Sequence, residues 1–60
     1  MYYQIEIENK QEDFETIDEV KTLEEAIEIA KGVDKRLYKA IMIFKVDYDG
    51  TIMEIMEVEI

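Results

Sequence analysis

The chain has 60 residues, of which 16 are acidic and seven basic, and its formal net charge at pH 7 is −9. It contains neither histidine nor cysteine, which excludes a disulfide framework and the usual zinc ligand sets. An apolar content of 48% makes a packed core feasible despite the charge, and the length suffices for one domain at most.

The same features restrict location and ligands. Residues 1–4 carry no basic stretch followed by an apolar run, so we expect no secretory signal. The longest nearly apolar run, residues 40–44, is far too short to cross a bilayer. The absence of cysteine is typical of a cytoplasmic chain. Negative charge disfavours direct binding to nucleic acid or to anionic membrane surfaces, and no residue pattern calls for a metal or cofactor.

The charge is distributed unevenly along the chain. Residues 1–30 carry ten acids and two lysines, a net −8, whereas residues 31–60 carry six acids and five bases, a net −1. The molecule is therefore expected to be electrically polar, with its acidic excess in the first half.

The first half begins with two predicted strands. Residues 2–8 alternate with a period of two, which predicts a half-buried strand whose inward face carries Tyr3, Ile5 and Ile7. Residues 9–13 are wholly polar and predict a turn. Residues 14–20 predict a second, weaker strand, with Ile17 on one face and on the other Phe14, Thr16 and Val20.

A helix is predicted over residues 23–31. Thr22 and Glu25 have the spacing of a capping box, in which each side chain receives the other residue's backbone amide. One helical stripe follows at positions i, i+3, i+4 and i+7: Leu23, Ala26, Ile27 and Ala30. Gly32 is expected to end the helix in a left-handed conformation.

The second half predicts a long hairpin, with strands over 35–46 and 51–60. Asp47, Asp49 and Gly50 suit a type I turn followed by a glycine bulge, which pairs residue 47 with 51 and residue 46 with 52. One face of this register then pairs Val46–Ile52, Met42–Met56, Ala40–Val58 and Tyr38–Ile60. The other face pairs Lys39–Glu59 and Ile43–Ile55. The alternative two-residue turn at Asp49 and Gly50 scatters apolar side chains over both faces, so we favour the first register.

These elements predict an α+β fold in the order β-β-α-β-β, forming a single acidic domain over residues 1–60. The helix packs its apolar stripe on one face of a small antiparallel sheet of three to four strands. In the hairpin, the residues of that face are the even-numbered ones. The opposite face is left uncovered.

The segment Asp47–Thr51 resembles the first motif of haloacid-dehalogenase-type phosphatases, Asp-x-Asp-Gly-Thr, after an apolar strand. The resemblance implies Asp47 as nucleophile and Asp49 as general acid/base, with Mg²⁺. Such enzymes also need carboxylates at the ends of parallel strands, and 60 residues leave no room for that sheet. A hairpin turn explains the same residues, and we expect no enzymatic activity and no catalytic residue.

The same turn also has the Asp-x-Asp-Gly spacing of a calcium loop. Aligning Gly50 with the invariant glycine of that loop puts Lys45 at the first ligand position and Met56 at the last. Neither side chain can bind calcium there, so we expect no metal site.

Two surfaces are predicted to contact proteins. The first is acidic and could dock on a basic groove that normally holds nucleic acid, as in phage or mobile-element inhibitors that mimic DNA: Glu6, Glu8, Glu12, Asp13, Glu15, Asp18, Glu19, Glu24, Glu25 and Glu28. The second is the uncovered apolar sheet face, which predicts a homodimer or accessory domain instead: Ile41, Ile43, Met53 and Ile55.

Overall fold

The computed structural model describes residues 1–58 and confirms an α+β fold in which one helix covers one face of an antiparallel sheet. Its elements in chain order are β1 Tyr2–Asn9, β2 Phe14–Val20, α1 Leu23–Gly32, a 3-10 turn Lys35–Leu37, β3 Tyr38–Val46 and β4 Ile52–Glu57. The four strands lie in the order β2-β1-β3-β4. Strands β2 and β4 are therefore the two edges of the sheet.

The helix connects strands on either side of β1. Both β2 and β3 pair antiparallel with β1, so they run in the same direction with β1 between them. The helix carries the chain from one to the other and packs on β1, β2 and β3. We call the sheet face beneath α1 the helix face and the opposite one the open face.

The core lies between the helix and the two central strands. Ile5 pairs with Ile43 and Ile7 with Ile41, so all four side chains share the helix face. They are at most 2% exposed and meet Ala26 and Ala30 of the helix, each 0% exposed. The alanines let the helix approach the sheet closely, and the isoleucines supply the apolar area that drives folding.

The helix follows the predicted stripe and differs from the prediction at both ends. The Thr22 hydroxyl accepts from the Glu25 amide at 3.2 Å, as predicted, but it also donates to the Glu25 carboxylate, which does not reach the Thr22 amide. Gly32 is the last helical residue, and the expected left-handed cap is absent there because Val33, in extended conformation, caps the helix instead.

The third strand begins later than predicted. Lys35–Leu37 form a 3-10 turn capped by Asp34, whose carboxylate accepts from the Arg36 amide at 3.1 Å. The prediction of strand from residue 35 is wrong because this local hydrogen bond gives the backbone an alternative to the sheet.

The hairpin has the predicted turn, but its register changes one residue later. Val46 pairs with Ile52 as predicted, whereas Lys45 pairs with Glu54 and Ile43 with Met56, because a bulge lies between Lys45 and Val46. A bulge adds one residue to one strand and shifts every later pair by one. The predicted pairs Ile43–Ile55, Met42–Met56 and Ala40–Val58 are therefore wrong, and Tyr38–Ile60 and Lys39–Glu59 lie outside the described residues.

The face assignment of β3 is also wrong. Ile41 and Ile43, predicted on the uncovered face, are 1% and 2% exposed beneath the helix. Their partners in β1 decide this, since Ile7 and Ile5 belong to the core. The even positions Met42 and Phe44, predicted to face the helix, lie opposite Glu6 and Gln4 on the open face.

The second strand is confirmed over Phe14–Val20, with a bulge of its own. Thr16 pairs with Glu6 but Asp18 pairs with Ile5, so Ile17 is the extra residue. Phe14 and Thr16 therefore lie on the open face, and Val20, paired with Tyr3, lies on the helix face. The prediction that these three residues share a face is wrong because the bulge interrupts the alternation.

Candidate functional site

Most of the predicted acidic residues lie along one edge of the molecule. Strand β2 is an edge strand, and only two residues separate its end from the start of α1. We call the exposed carboxylates of the turn, of β2 and of the helix the acidic edge: Glu12, Asp13, Glu15, Asp18, Glu19, Glu24, Glu25 and Glu28. The helix packs against β2 as well as β1 and β3, so its carboxylates and those of β2 belong to neighbouring elements.

The acidic edge is poorly neutralised. Within residues 1–58 the ion pairs are Arg36–Asp34 and Lys39–Glu12, both 3.0 Å between nitrogen and oxygen. Of these, Lys39–Glu12 alone involves the acidic edge. The other seven carboxylates form no ion pair within residues 1–58, so the turn, β2 and α1 keep an excess of negative charge.

Glu6 and Glu8 lie apart from the acidic edge, in the inner strand β1. Glu6 is 8% exposed, and its carboxylate accepts a hydrogen bond from the Thr16 hydroxyl across the open face. Glu8 is half-buried beside Phe14. The burial of Glu6 withdraws it from any docking partner, so the ten predicted acidic residues do not form a single surface.

The open face divides into a polar and an apolar half. The β1 and β2 half carries Gln4, which donates to Glu19 at 3.0 Å, and the pair formed by Thr16 and Glu6. The other half, which we call the apolar half, carries Met42, Phe44, Ile52 and Ile55, together with Val46, which is 2% exposed, and with Glu57 opposite Met42. Phe44 pairs with Ile55 and Val46 with Ile52, so these side chains form one patch.

Two of the four residues predicted for the second surface are exposed, and the other two are not. Ile55 is 59% exposed on the open face and Met53 is 53% exposed at the bulge of β4. Ile41 and Ile43 are buried in the core. Sequence reasoning missed Met42, Phe44 and Ile52, the last 48% exposed. The available signal was β1, whose polar even positions show which face of a neighbouring strand meets solvent.

Strand β4 also presents an unpaired backbone edge. It lies at the end of the sheet opposite β2. The Val58 amide donates to the Ile41 carbonyl at 2.9 Å. Since amide direction alternates along an antiparallel strand, the Met56 and Glu54 amides also face β3. The amides of Ile55 and Glu57 therefore face outward from the sheet.

The turn after β3 is built by its own hydrogen bonds. The Gly50 amide donates to the Asp47 carbonyl at 3.0 Å and the Asp47 amide to the Thr51 carbonyl at 2.9 Å. Gly50 has φ +89°, a left-handed conformation that favours glycine. Hydrogen bonds from the backbone amide and side chain of Thr51 hold the pKa of Asp49 below its ordinary value.

Residues 1–58 form no pocket and contain no cluster of three or more carboxylates placed to hold a metal ion. No helix in this part of the chain is long and apolar enough to cross a membrane.

Comparison with known proteins gives no relative. No protein-family model matches the sequence, and no curated protein and no solved structure matches the chain.

Proposed function

We propose that this chain is a small acidic protein-binding module whose acidic edge docks on a basic groove that normally holds nucleic acid. The supporting observation is the concentration of charge. Residues 11–30 carry eight acids and one lysine, a net −7 out of the total of −9. Six of these acids lie on edge strand β2 and on α1, and Glu12 and Asp13 lie in the turn before β2.

The physical basis is electrostatic complementarity. Seven carboxylates of the acidic edge have no ion-pair partner within residues 1–58. Opposite charge on a partner groove raises the association rate, and the effect falls steeply with ionic strength. A dense row of carboxylates can replace phosphates in such a groove, which is how phage or mobile-element inhibitors of bacterial defence systems could act. A cytoplasmic location is part of this proposal, and the absence of cysteine suits it.

The test is affinity capture from a bacterial lysate on the immobilised chain, with elution by a salt gradient. We expect a nucleic-acid-binding protein that elutes with salt and is displaced by added duplex DNA. The double variant Glu24→Gln/Glu28→Gln should lose most of this capture. The matched control Glu54→Gln/Glu57→Gln removes the same charge from β4, at the other edge, and should retain it.

Equal capture by both double variants would refute the role of the acidic edge. Capture that survives high salt and ignores added DNA would refute the nucleic-acid-like mode of binding.

A second function is favoured by a different observation. Ile55 and Met53 are more than half exposed, and Ile55 continues into the patch formed by Met42 and Phe44. A chain that leaves such a patch in water is suited to self-association as a structural or accessory domain. Self-association uses the β4 side of the sheet and leaves the acidic edge free, so one molecule can do both.

A further inference from the structure

We infer that a second copy of this chain pairs antiparallel along the outer edge of β4, so that two four-stranded sheets become one continuous sheet. This inference gives the self-association function a specific strand and register. It does not rest on the acidic edge binding a basic partner.

The two edges of the sheet differ in how open they are to pairing. Strand β2 carries Glu15, Asp18 and Glu19 along its length and is bulged at Ile17. Charges and bulges are the devices by which proteins block pairing at edge strands. Strand β4 is bulged as well, at Met53, but it carries two carboxylates rather than three. It exposes Ile52, Met53 and Ile55, each by 48% or more. Pairing at β4 is thus the less obstructed of the two.

The backbone of β4 supplies the hydrogen bonds that a partner strand needs. The amides of Ile55 and Glu57 face outward, as derived from the Val58 to Ile41 hydrogen bond. Antiparallel strands exchange pairs of hydrogen bonds between residues whose amides face each other. A two-fold axis at Ile55 therefore lets the two Ile55 residues exchange both hydrogen bonds.

In this register no two like charges lie opposite each other. With Ile55 opposite its own counterpart, Glu57 falls opposite Met53 and Glu54 falls opposite Met56 of the second copy. A register centred on Glu54 or on Glu57 would place two identical carboxylates side by side, which is destabilising. The β4 sequence is therefore complementary to itself in the register centred on Ile55.

Each copy has a net charge of −9, but little of this charge lies near β4, so repulsion between two copies paired at β4 is weak. Residues 38–57, which contain β3 and β4, carry two lysines and four acids, a net −2. The acidic strand β2 lies three strand spacings from β4, about 14 Å at the usual spacing between strands. In the paired sheet the two β2 strands lie at opposite ends, well beyond a Debye length of about 8 Å.

Pairing in this register also joins the apolar halves of the two open faces. A two-fold axis perpendicular to the sheet keeps both open faces on the same side, so Ile55 of each copy contacts the other. The patch formed by Phe44 and Ile55 then continues across the junction. Burial of these side chains adds to the backbone hydrogen bonds.

The test uses the absence of cysteine from the chain. Directly opposed residues of a hydrogen-bonded antiparallel pair lie about 5.5 Å apart between Cα atoms, within the range for a disulfide. The variant Ile55→Cys should therefore oxidise to a covalent dimer at least tenfold faster than Phe14→Cys. Phe14 is the matched control, since it is 62% exposed but lies on β2.

A second measurement does not depend on any substitution. In the unmodified chain, the amides of Ile55 and Glu57 should exchange with deuterium at least tenfold more slowly at millimolar than at micromolar concentration. Sedimentation should give a dimeric mass at the higher concentration. The variant Glu24→Gln/Glu28→Gln should dimerise as the unmodified chain does, so failure of the acidic-edge proposal leaves this result unchanged.

Several outcomes would overturn the inference. Equal oxidation rates for the two cysteine variants, or a monomeric mass at millimolar concentration, would exclude pairing at β4. A dimer whose Ile55 and Glu57 amides still exchange fast would show that the copies meet through the open face rather than through the strand edge. Binding of a different protein at β4 by a monomeric chain would assign this edge to another partner.

Discussion

At the scale of single residues, Glu12 has the most strained backbone in residues 1–58. Its φ of +68° is the one positive value among the residues other than glycine in this range. The turn imposes it, since the Glu12 amide donates to the Asn9 carbonyl, and the Asn9 side chain accepts from the amides of Gln11 and Asp13. The sequence predicted the turn from its polarity, but not which residue is left-handed.

We expect Glu12→Gly to stabilise the fold by about 0.5–1 kcal/mol, because glycine adopts a left-handed conformation without the steric cost of a Cβ atom. The measurement is urea unfolding followed by circular dichroism. Glu12→Ala is the control, since it removes the contact of Glu12 with Lys39 but keeps the Cβ atom. Equal stability of the glycine and alanine variants would show that the turn stores no strain.

Asp49 gives a second prediction at this scale. Its pKa is lowered by the hydrogen bonds from Thr51, so its ionised form is favoured in the folded state. The resulting stabilisation is present above the unfolded pKa of about 4 and is lost as the pH falls through the lower folded pKa. A carboxyl ¹³C titration should give Asp49 a pKa below that of an unfolded reference peptide. An unshifted value would contradict this cause. Thr51→Val keeps the backbone amide that donates to Asp49, so it should remove only part of the shift.

At the scale of elements, the face that each strand presents to the helix depends on its neighbours. Strand β1 alternates without ambiguity, and its inward residues Ile5 and Ile7 are predicted correctly. Strand β3 is apolar on both faces, so its own sequence leaves two choices. Pairing with β1 selects Ile41 and Ile43 for the core, because the polar side chains of β1 need water or hydrogen-bond partners, which the apolar core beneath the helix does not supply.

The positions of the two bulges were likewise not predictable from the sequence of each strand. Each inserts one residue, Ile17 in β2 and Met53 in β4, and reverses the alternation of the rest of its strand. No glycine or proline marks either position, so the usual sequence signals of an irregular strand are missing. The turn at Asp47–Gly50, whose residues do carry such signals, is predicted correctly.

The corrected faces can be tested by a pair of substitutions. Ile43→Ala should destabilise the fold by about 2–5 kcal/mol, as expected for a buried aliphatic side chain, and Ile55→Ala by less than about 1 kcal/mol in the monomer. Urea unfolding at micromolar concentration measures both. If Ile43→Ala does not fold, the free energy of unfolding of Ile43→Val can be compared with that of Ile55→Ala instead. The expected cost of Ile43→Val is about 0.5–1.5 kcal/mol. A larger effect at Ile55 than at Ile43 would restore the opposite assignment.

At the scale of the whole molecule, the fold converts an uneven sequence into two different edges. The acids of residues 11–30 lie on β2, on α1 and in the turn before β2, whereas the exposed apolar residues of β4 lie at the far side of the sheet. The core between them is small, with six fully buried side chains in its main cluster, two of them alanine. Repulsion along the acidic edge adds to the conformational entropy that this small core has to overcome.

We expect added potassium chloride to stabilise the fold, because it screens this repulsion. Between 20 mM and 500 mM salt the midpoint of thermal unfolding should rise by about 4–8 °C, which corresponds to roughly 1 kcal/mol for a chain of this size. Glu24→Gln/Glu28→Gln should show a smaller rise than Glu54→Gln/Glu57→Gln. A salt response equal in both variants would mean that the acidic edge is not the source of the repulsion.

The sequence by itself determined the features that depend on local chemistry. Strand alternation in β1, the Thr22 cap, the helix stripe and the Asp47–Gly50 turn all follow from neighbouring residues. The uneven charge is likewise a property of the sequence. Only the tertiary structure decided which face of β3 is buried, where the bulges lie, and that β2 and β4 form opposite edges. These depend on contacts between segments far apart in the chain, and a shift of one residue in such a pairing exchanges the two faces of a strand.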